Sequence, residues 1–257
     1  PDFANRIVYQ YDFSGTNDDD ASDYSGHGTH VAGTIVSDNG NYPGIAPKAN
    51  LIVLKVFTDE GGGSGYDIEE ALNWVVQNHA KYNIVAVNMS LGLTDEDDHQ
   101  LFHDREQKGP YATQLKALAM SGVIVVSASG NDYDIFSKYF SKAGVGYPSS
   151  DPHSLSIGAT FARAGPYGGW NKDDELVLLP SRQSGVVDSI ALFSQRGTLS
   201  DVFAPGVWIN ASWNDGGHKP ISGTSMASPQ VAGMVILAQE LAVKTLGRRL
   251  SFEEFKT

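Results

Sequence analysis

The sequence predicts an α/β protein built on a mainly parallel sheet flanked by helices, and two patterns carry that expectation. Short β-branched runs are continuously apolar instead of alternating, as strands covered on both faces are. Between them lie stretches whose apolar residues fall three and four apart, the spacing of a helix with one buried stripe. Strand alternating with helix implies parallel pairing. Size agrees: 257 residues, 41% apolar and 19% charged, can fill one large core or two modest ones.

The strand-like runs cover residues 51–57, 84–90, 123–127, 154–159 and 201–203. Helical patterns cover 66–79, with Ile68, Leu72, Val75 and Val76 on one stripe, and 112–120, with Leu115, Leu118 and Ala119. The longest runs over 225–246, rich in Ala, Val, Leu and Ile with Gly233 inside it, and is expected to be largely buried. No repeat or linker interrupts the chain, so 1–257 reads as one domain, with 94–108 and 162–189 polar or irregular enough to be surface insertions.

Charge and composition exclude several functions. Lys and Arg number 18 against 30 Asp and Glu, a net charge of −12, which argues against nucleic acid as a partner. The absence of Cys removes disulfides, thiolate catalysis and zinc fingers, and leaves the compartment open. No apolar run reaches the roughly 18 residues of a membrane span, so no membrane partner is expected. The start lacks the basic-then-apolar form of a signal peptide. Pro1-Asp2-Phe3, without an initiator Met, reads as a cut through a longer chain.

Three segments hold residues capable of chemistry. Gly26-His27-Gly28-Thr29-His30-Val31-Ala32-Gly33-Thr34 sets a His between glycines before a small-residue helix. Glycine there leaves the imidazole uncrowded. The same residues fit a tightly packed helix start, or two His three apart as metal ligands. Ser222-Gly223-Thr224-Ser225-Met226-Ala227-Ser228-Pro229 places a hydroxyl at the head of the long helix, where unpaired N–H groups stabilise an oxyanion. An ordinary Ser cap followed by a first-turn Pro has the same form. Val125-Val126-Ser127-Ala128-Ser129-Gly130-Asn131 runs from a buried strand to an amide, either a turn or a donor at a strand's C-terminal end.

Taken together, in the order His, Asn, Ser, these segments resemble the subtilisin-like serine proteases, the subtilases. Gly44-Ile45-Ala46-Pro47, Asn88-Met89-Ser90-Leu91-Gly92 and Phe203-Ala204-Pro205-Gly206 extend the resemblance over nearly the whole chain. It implies a doubly wound, three-layer α/β/α fold and a serine endopeptidase acting through an acyl-enzyme. His27 is then the general base, Ser225 the nucleophile, and Asn131 with the Ser225 N–H the oxyanion site; His30 is structural. Ser90, Leu91 and Gly92 would pair with an extended polypeptide substrate from one side, and Gly63, Ser64 and Gly65 from the other. Ser127, Ala128, Ser129 and Gly130 would wall the main specificity pocket over Gly146, leaving room for a large apolar residue before the cleaved bond. The family also implies a secreted monomer matured from a propeptide.

The family's catalytic Asp is not found. Pro1-Asp2-Phe3 resembles the stretch a few residues beyond it, which places that Asp, on a central strand, upstream of residue 1. Asp12, in Tyr11-Asp12-Phe13, lies too near His27 to replace it. Loss of that Asp alone costs roughly 10⁴ in turnover, a magnitude measured on subtilisin itself. The expectation is therefore that the chain acts together with its own N-terminal segment. A pseudoprotease or binding module that keeps the fold is the alternative. A metal hydrolase using His27 and His30 lacks a third ligand. No cofactor is expected for catalysis. Ca²⁺ as a structural ion is expected from Asp18, Asp20 and Asp23 in the acidic loop before His27, which otherwise reads as a solvated turn.

Overall fold

The five expected strands form, but with a sixth they build two parallel ladders instead of one continuous sheet. A computed structural model describes residues 2–15, 19–93, 102–133, 143–166, 168–170, 176–178 and 184–256. Its first half runs β1 (Ile7–Asp12), α1 (His27–Val36), β2 (Leu51–Lys55), α2 (Gly65–Tyr82), β3 (Ala86–Met89), β4 (Phe102–His103), α3 (Ala112–Met120) and β5 (Ile124–Ala128). Then follow β6 (Val145–Gly146), β7 (Leu155–Phe161), and the short strands β8 (Gly165–Pro166), β9 (Gly168–Trp170), β10 (Leu176–Leu178) and β11 (Ser184–Gly185). The last are β12 (Val202–Val207), β13 (Ile209–Ser212), β14 (His218–Ile221), α4 (Thr224–Leu246) and α5 (Phe252–Lys256).

The larger ladder has the order β12-β7-β5-β3 and is parallel throughout. The smaller pairs β1 with β2, also parallel. Among the described residues β2 and β3 each end their ladder, and no hydrogen-bonded strand joins the two ladders.

Alternate residues of β5 enter opposite cores, as the period of two requires. Ile124 and Val126 meet Ile35 and Val36 of α1 and Val231 and Val235 of α4. Val125 meets Ile68, Leu72 and Val75 of α2 and Leu115 and Leu118 of α3. Helices thus cover both faces in three layers, the doubly wound arrangement the resemblance implies.

Helix α4 is 23 residues long, and by length and hydropathy alone it matches a membrane span, contrary to the sequence expectation. Its first half is nevertheless core. Gly233 crosses Ile45 so closely that a Cβ there would stand 2.5 Å from Ile45 Cβ. The second half departs from the expected burial: Met234, Leu237 and Leu241 are exposed. Of the two expected insertions, the described part of 94–108 contains β4, paired antiparallel with β6. The described part of 162–189 contains the antiparallel pairs β8-β11 and β9-β10.

Candidate active site

The C-terminal ends of β2, β3 and β5 and the N-termini of α1 and α4 meet at one cleft of about 310 Å³. Parallel strands present their loops together at that end, which is where an open α/β sheet binds ligands. Ser90, Leu91 and Gly92 beyond β3, Phe57 and Gly61 beyond β2, and Ala128, Gly130 and Asn131 at the end of β5 line it. His27 and Ser225 face the same space.

His27 is the first residue of α1, entered through Gly26 at φ 88°. A Cβ on Gly26 would stand 2.4 Å from the Trp213 ring, so both conformation and packing require glycine. Asp23 serves the helix start. Its Oδ1 accepts from the N–H groups of Ser25 at 3.0 Å and Gly26 at 2.9 Å, and its Oδ2 from that of Thr29 at 2.7 Å. Burial pushes the His27 imidazole below its ordinary pKa, against the pull of the Asp23 charge. The ring is therefore neutral at neutral pH, the form a general base needs.

His30 does different work. It is fully buried, and its Nε2–H is shared between the carbonyls of Ile209 at 2.9 Å and Lys219 at 3.0 Å, tying α1 to the β13-β14 hairpin. Burial drives its pKa down to about 4. Among the described residues no group of three His, Asp or Glu side chains could hold a metal.

Ser225 is the second residue of α4, where N–H groups have no partner within the helix. Asn131 is fixed from behind: its Oδ1 accepts from the Thr224 N–H at 2.8 Å and the Thr224 hydroxyl at 2.9 Å. The Thr224 hydroxyl oxygen in turn accepts from the Gly130 N–H at 3.2 Å. With its oxygen engaged, Asn131 has only donors left for the cleft. Ser225 Oγ donates to the Ser90 carbonyl at 3.4 Å, a long bond easily exchanged for another partner.

The predicted substrate-binding residues divide into two groups. Ser90, Leu91, Gly92, Ala128 and Gly130 line the cleft. The Ser127 and Ser129 hydroxyls turn away, to Ser154 Oγ at 2.7 Å and the Gln195 carbonyl at 3.1 Å, so those residues act as backing. Gly146 is buried behind them, its N–H donating to the Ser129 carbonyl at 2.9 Å. Beyond β2, Gly63 pairs with Phe57 and Ser64 caps α2 by accepting from the N–H groups of Tyr66 and Asp67. Gly65 begins that helix. Phe57, Gly61, Ser25 and Thr224 line the cleft without having been singled out. Phe57 carried a signal, as the last residue of an apolar run that ends at the ligand-binding edge.

The acidic loop does not assemble a calcium site among the described residues. Asp18 lies outside them, Asp20 Oδ1 accepts from Ser22 N–H at 3.1 Å and from its hydroxyl, and Asp23 is committed to α1.

Ser225 at a helix N-terminus, the His27 imidazole and the Asn131 amide thus stand at one end of a three-layer parallel α/β scaffold. The chain belongs to the subtilase family, Peptidase S8, whose model matches residues 1–256. It is 33% identical over 236 residues to alkaline serine exoprotease A of Vibrio alginolyticus, covering 92% of this chain and 35% of that protein. It is 31% identical over 240 residues to proteinase T of Parengyodontium album, covering 91% and 64%. Among solved structures, a cold-adapted subtilisin-like serine proteinase superposes with a TM-score of 0.70 at 30% identity, over 99% of this chain and 74% of that one. Sphericase superposes with a TM-score of 0.72 at 25% identity, over 100% and 76%. The chain spans 35% and 64% of the lengths of the two curated relatives named here.

Proposed function

We propose that the chain is the catalytic domain of a serine endopeptidase that cleaves extended polypeptides through an acyl-enzyme on Ser225. The observation that carries this reading is the convergence of His27, Asn131 and Ser225 on one cleft. His27 accepts the hydroxyl proton as Ser225 attacks the peptide carbonyl, then returns it to the leaving amine. The oxyanion is received by the Asn131 amide and the Ser225 N–H, each fixed before reaction. Substrate lies along Ser90, Leu91 and Gly92. Among the described residues no Asp, Glu, Lys or Arg lines the cleft, which supports a large apolar residue before the cleaved bond. An exoprotease among the relatives supports action outside the cell.

The same reading includes a further strand carrying the family's Asp. β2 and β3 run parallel to their own partners and end at the cleft walls, near Phe57 and Ser90. A parallel strand seated between them would end at the same cleft and bring a carboxylate to His27. The alternative, a pseudoprotease, predicts no reaction at Ser225. Treating the full-length gene product with a fluorophosphonate separates the two. Covalent labelling that is lost in Ser225→Ala is expected; a folded protein that stays unlabelled overturns the endopeptidase reading.

A further inference from the structure

Helix α4 has a proline where a helical hydrogen bond belongs, and the acceptor left over is the carbonyl of Ser225 itself. In an α-helix the N–H of residue 229 bonds to the carbonyl of residue 225. Pro229 has no N–H and sits within α4, in the second turn and not the first as the sequence suggested. The carbonyl is nevertheless satisfied, by the Ser90 hydroxyl at 2.8 Å, which comes from the loop at the end of β3.

The direction of this network follows from proton counting. Ser90 has one hydroxyl proton, and it is used on the Ser225 carbonyl. Its contacts with Asn88 Nδ2 at 2.9 Å and Ser228 Oγ at 2.9 Å are therefore bonds that it accepts. Asn88 and Ser228 hold the Ser90 oxygen, and Ser90 holds Ser225. One hydroxyl thus joins the substrate wall to the nucleophile's peptide group, and the proline makes the joint necessary. An N–H at position 229 would satisfy the carbonyl within the helix and leave the wall uncoupled.

We propose that the Ser90 side chain is a positioning residue, which supplies the hydrogen bond Pro229 cannot and so fixes Ser225 relative to the bound substrate. This rests on the reading of Ser225 as nucleophile. A displacement of about 1 Å at a reacting group can cost on the order of 10²-fold in rate. Its signature is a fall in kcat with little change in KM.

The test compares Ser90→Ala, Ser90→Cys and each of these combined with Pro229→Ala, all in the full-length protein. Hydrolysis of a chromogenic peptide is measured per active site titrated with fluorophosphonate, so misfolded material is not counted. Ser90→Ala is expected to lower kcat by roughly 10- to 100-fold while KM moves less than about threefold. Ser90→Cys keeps the volume but is a weak donor, and is expected to behave alike. Pro229→Ala returns an N–H to the Ser225 carbonyl but does not rebuild the joint to the substrate wall, so the double variants are expected to keep the deficit in kcat.

A kcat within about twofold of the parent in either single Ser90 variant overturns the proposal. So does a deficit that Pro229→Ala corrects, because a serine that merely satisfies the Ser225 carbonyl is replaceable by an N–H within the helix. Should Ser90→Ala not fold, the Ser90→Cys pair makes the same comparison. A parent protein that is folded but neither labels nor hydrolyses overturns the nucleophile reading along with this one, and is distinguishable from failure of the positioning step alone.

Discussion

Strands β5 and β2 are equally apolar in sequence, Ile124-Val125-Val126 against Leu51-Ile52-Val53-Leu54, yet their burial differs. Every residue of β5 is buried, and every residue of β2 is half-buried. The difference lies in the plane of the sheet. β5 has β3 and β7 as hydrogen-bonded neighbours, whereas β2 has β1 on one edge and no ladder partner on the other among the described residues. Apolar side chains report what covers a strand's faces. They say nothing about what flanks its edges.

The largest expected effect tests that contrast directly. Ile157 in β7 is 0% exposed, so Ile157→Ala is expected to cost about 4 kcal/mol, from lost transfer energy and the cavity left behind. Val53→Ala in half-buried β2 is expected to cost about 1 kcal/mol. Urea unfolding of residues 1–257 measures both. Repeating Val53→Ala in the full-length gene product sharpens the comparison: its cost rises towards that of Ile157→Ala where a strand occupies the open edge, and stays near 1 kcal/mol where none does.

Acid separates the two regions at different pH. His30, on the closed side, is neutral when folded, with its pKa at about 4 against 6.5 for the free side chain. The unfolded chain therefore binds the proton first. His30's contribution is complete above pH 6.5 and is lost as pH falls towards 4, amounting to about 3 kcal/mol. Asp12, which ends β1, titrates lower. Burial raises its pKa, but bonds from Ser14 and from Lys55 Nζ at 3.0 Å outweigh that and hold it below 3.8. Its contribution is present above pH 3.8 and is lost only as pH falls below that. Stability measured against pH is expected to fall first in the His30 window. His30→Phe is expected to remove the larger share of that fall and to leave the share of His27, whose pKa burial also lowers; a fall of unchanged size contradicts the assignment to His30. Asp12→Asn is expected to cost about 1 to 3 kcal/mol at neutral pH by leaving Lys55 without its buried partner, and an unchanged melting temperature would contradict it.

The sequence made the two faces of the sheet legible because continuous apolarity is a face signal, and 51–57, 84–90, 123–127, 154–159 and 201–203 all contain strands. β1 was legible only as a strand-like run before Asp12, because its burial alternates and Gln10 and Asp12 interrupt its apolarity. The β13-β14 hairpin escaped because His218-Lys219-Pro220 does not read as a strand. His27, Asn131 and Ser225 were legible because each lies in a motif whose glycines and small residues are needed for close backbone approach. Phe57 was legible only as the end of an apolar run, and Gly61 was not, since a wall formed by a loop carries no periodic pattern.

Ser64 offers the smallest and most discriminating effect, because sequence and structure assign it to different tasks. The resemblance sets it beside substrate. The geometry makes it the N-cap of α2, with Asp67 in the first turn completing a Ser-x-x-Asp start that was legible as a capping signal. Removing a cap oxygen leaves two N–H groups to water, and because this end is exposed the cost should be about 1 kcal/mol, or a fall of roughly 2 to 4 °C in melting temperature. A substrate contact would behave in the opposite way, raising KM without moving the melt. Ser64→Ala is expected to lower the melting temperature and leave KM within about twofold of the parent. Ser64→Asp keeps a capping oxygen and is expected to restore the melt, which a substrate-contact role gives no reason for it to do.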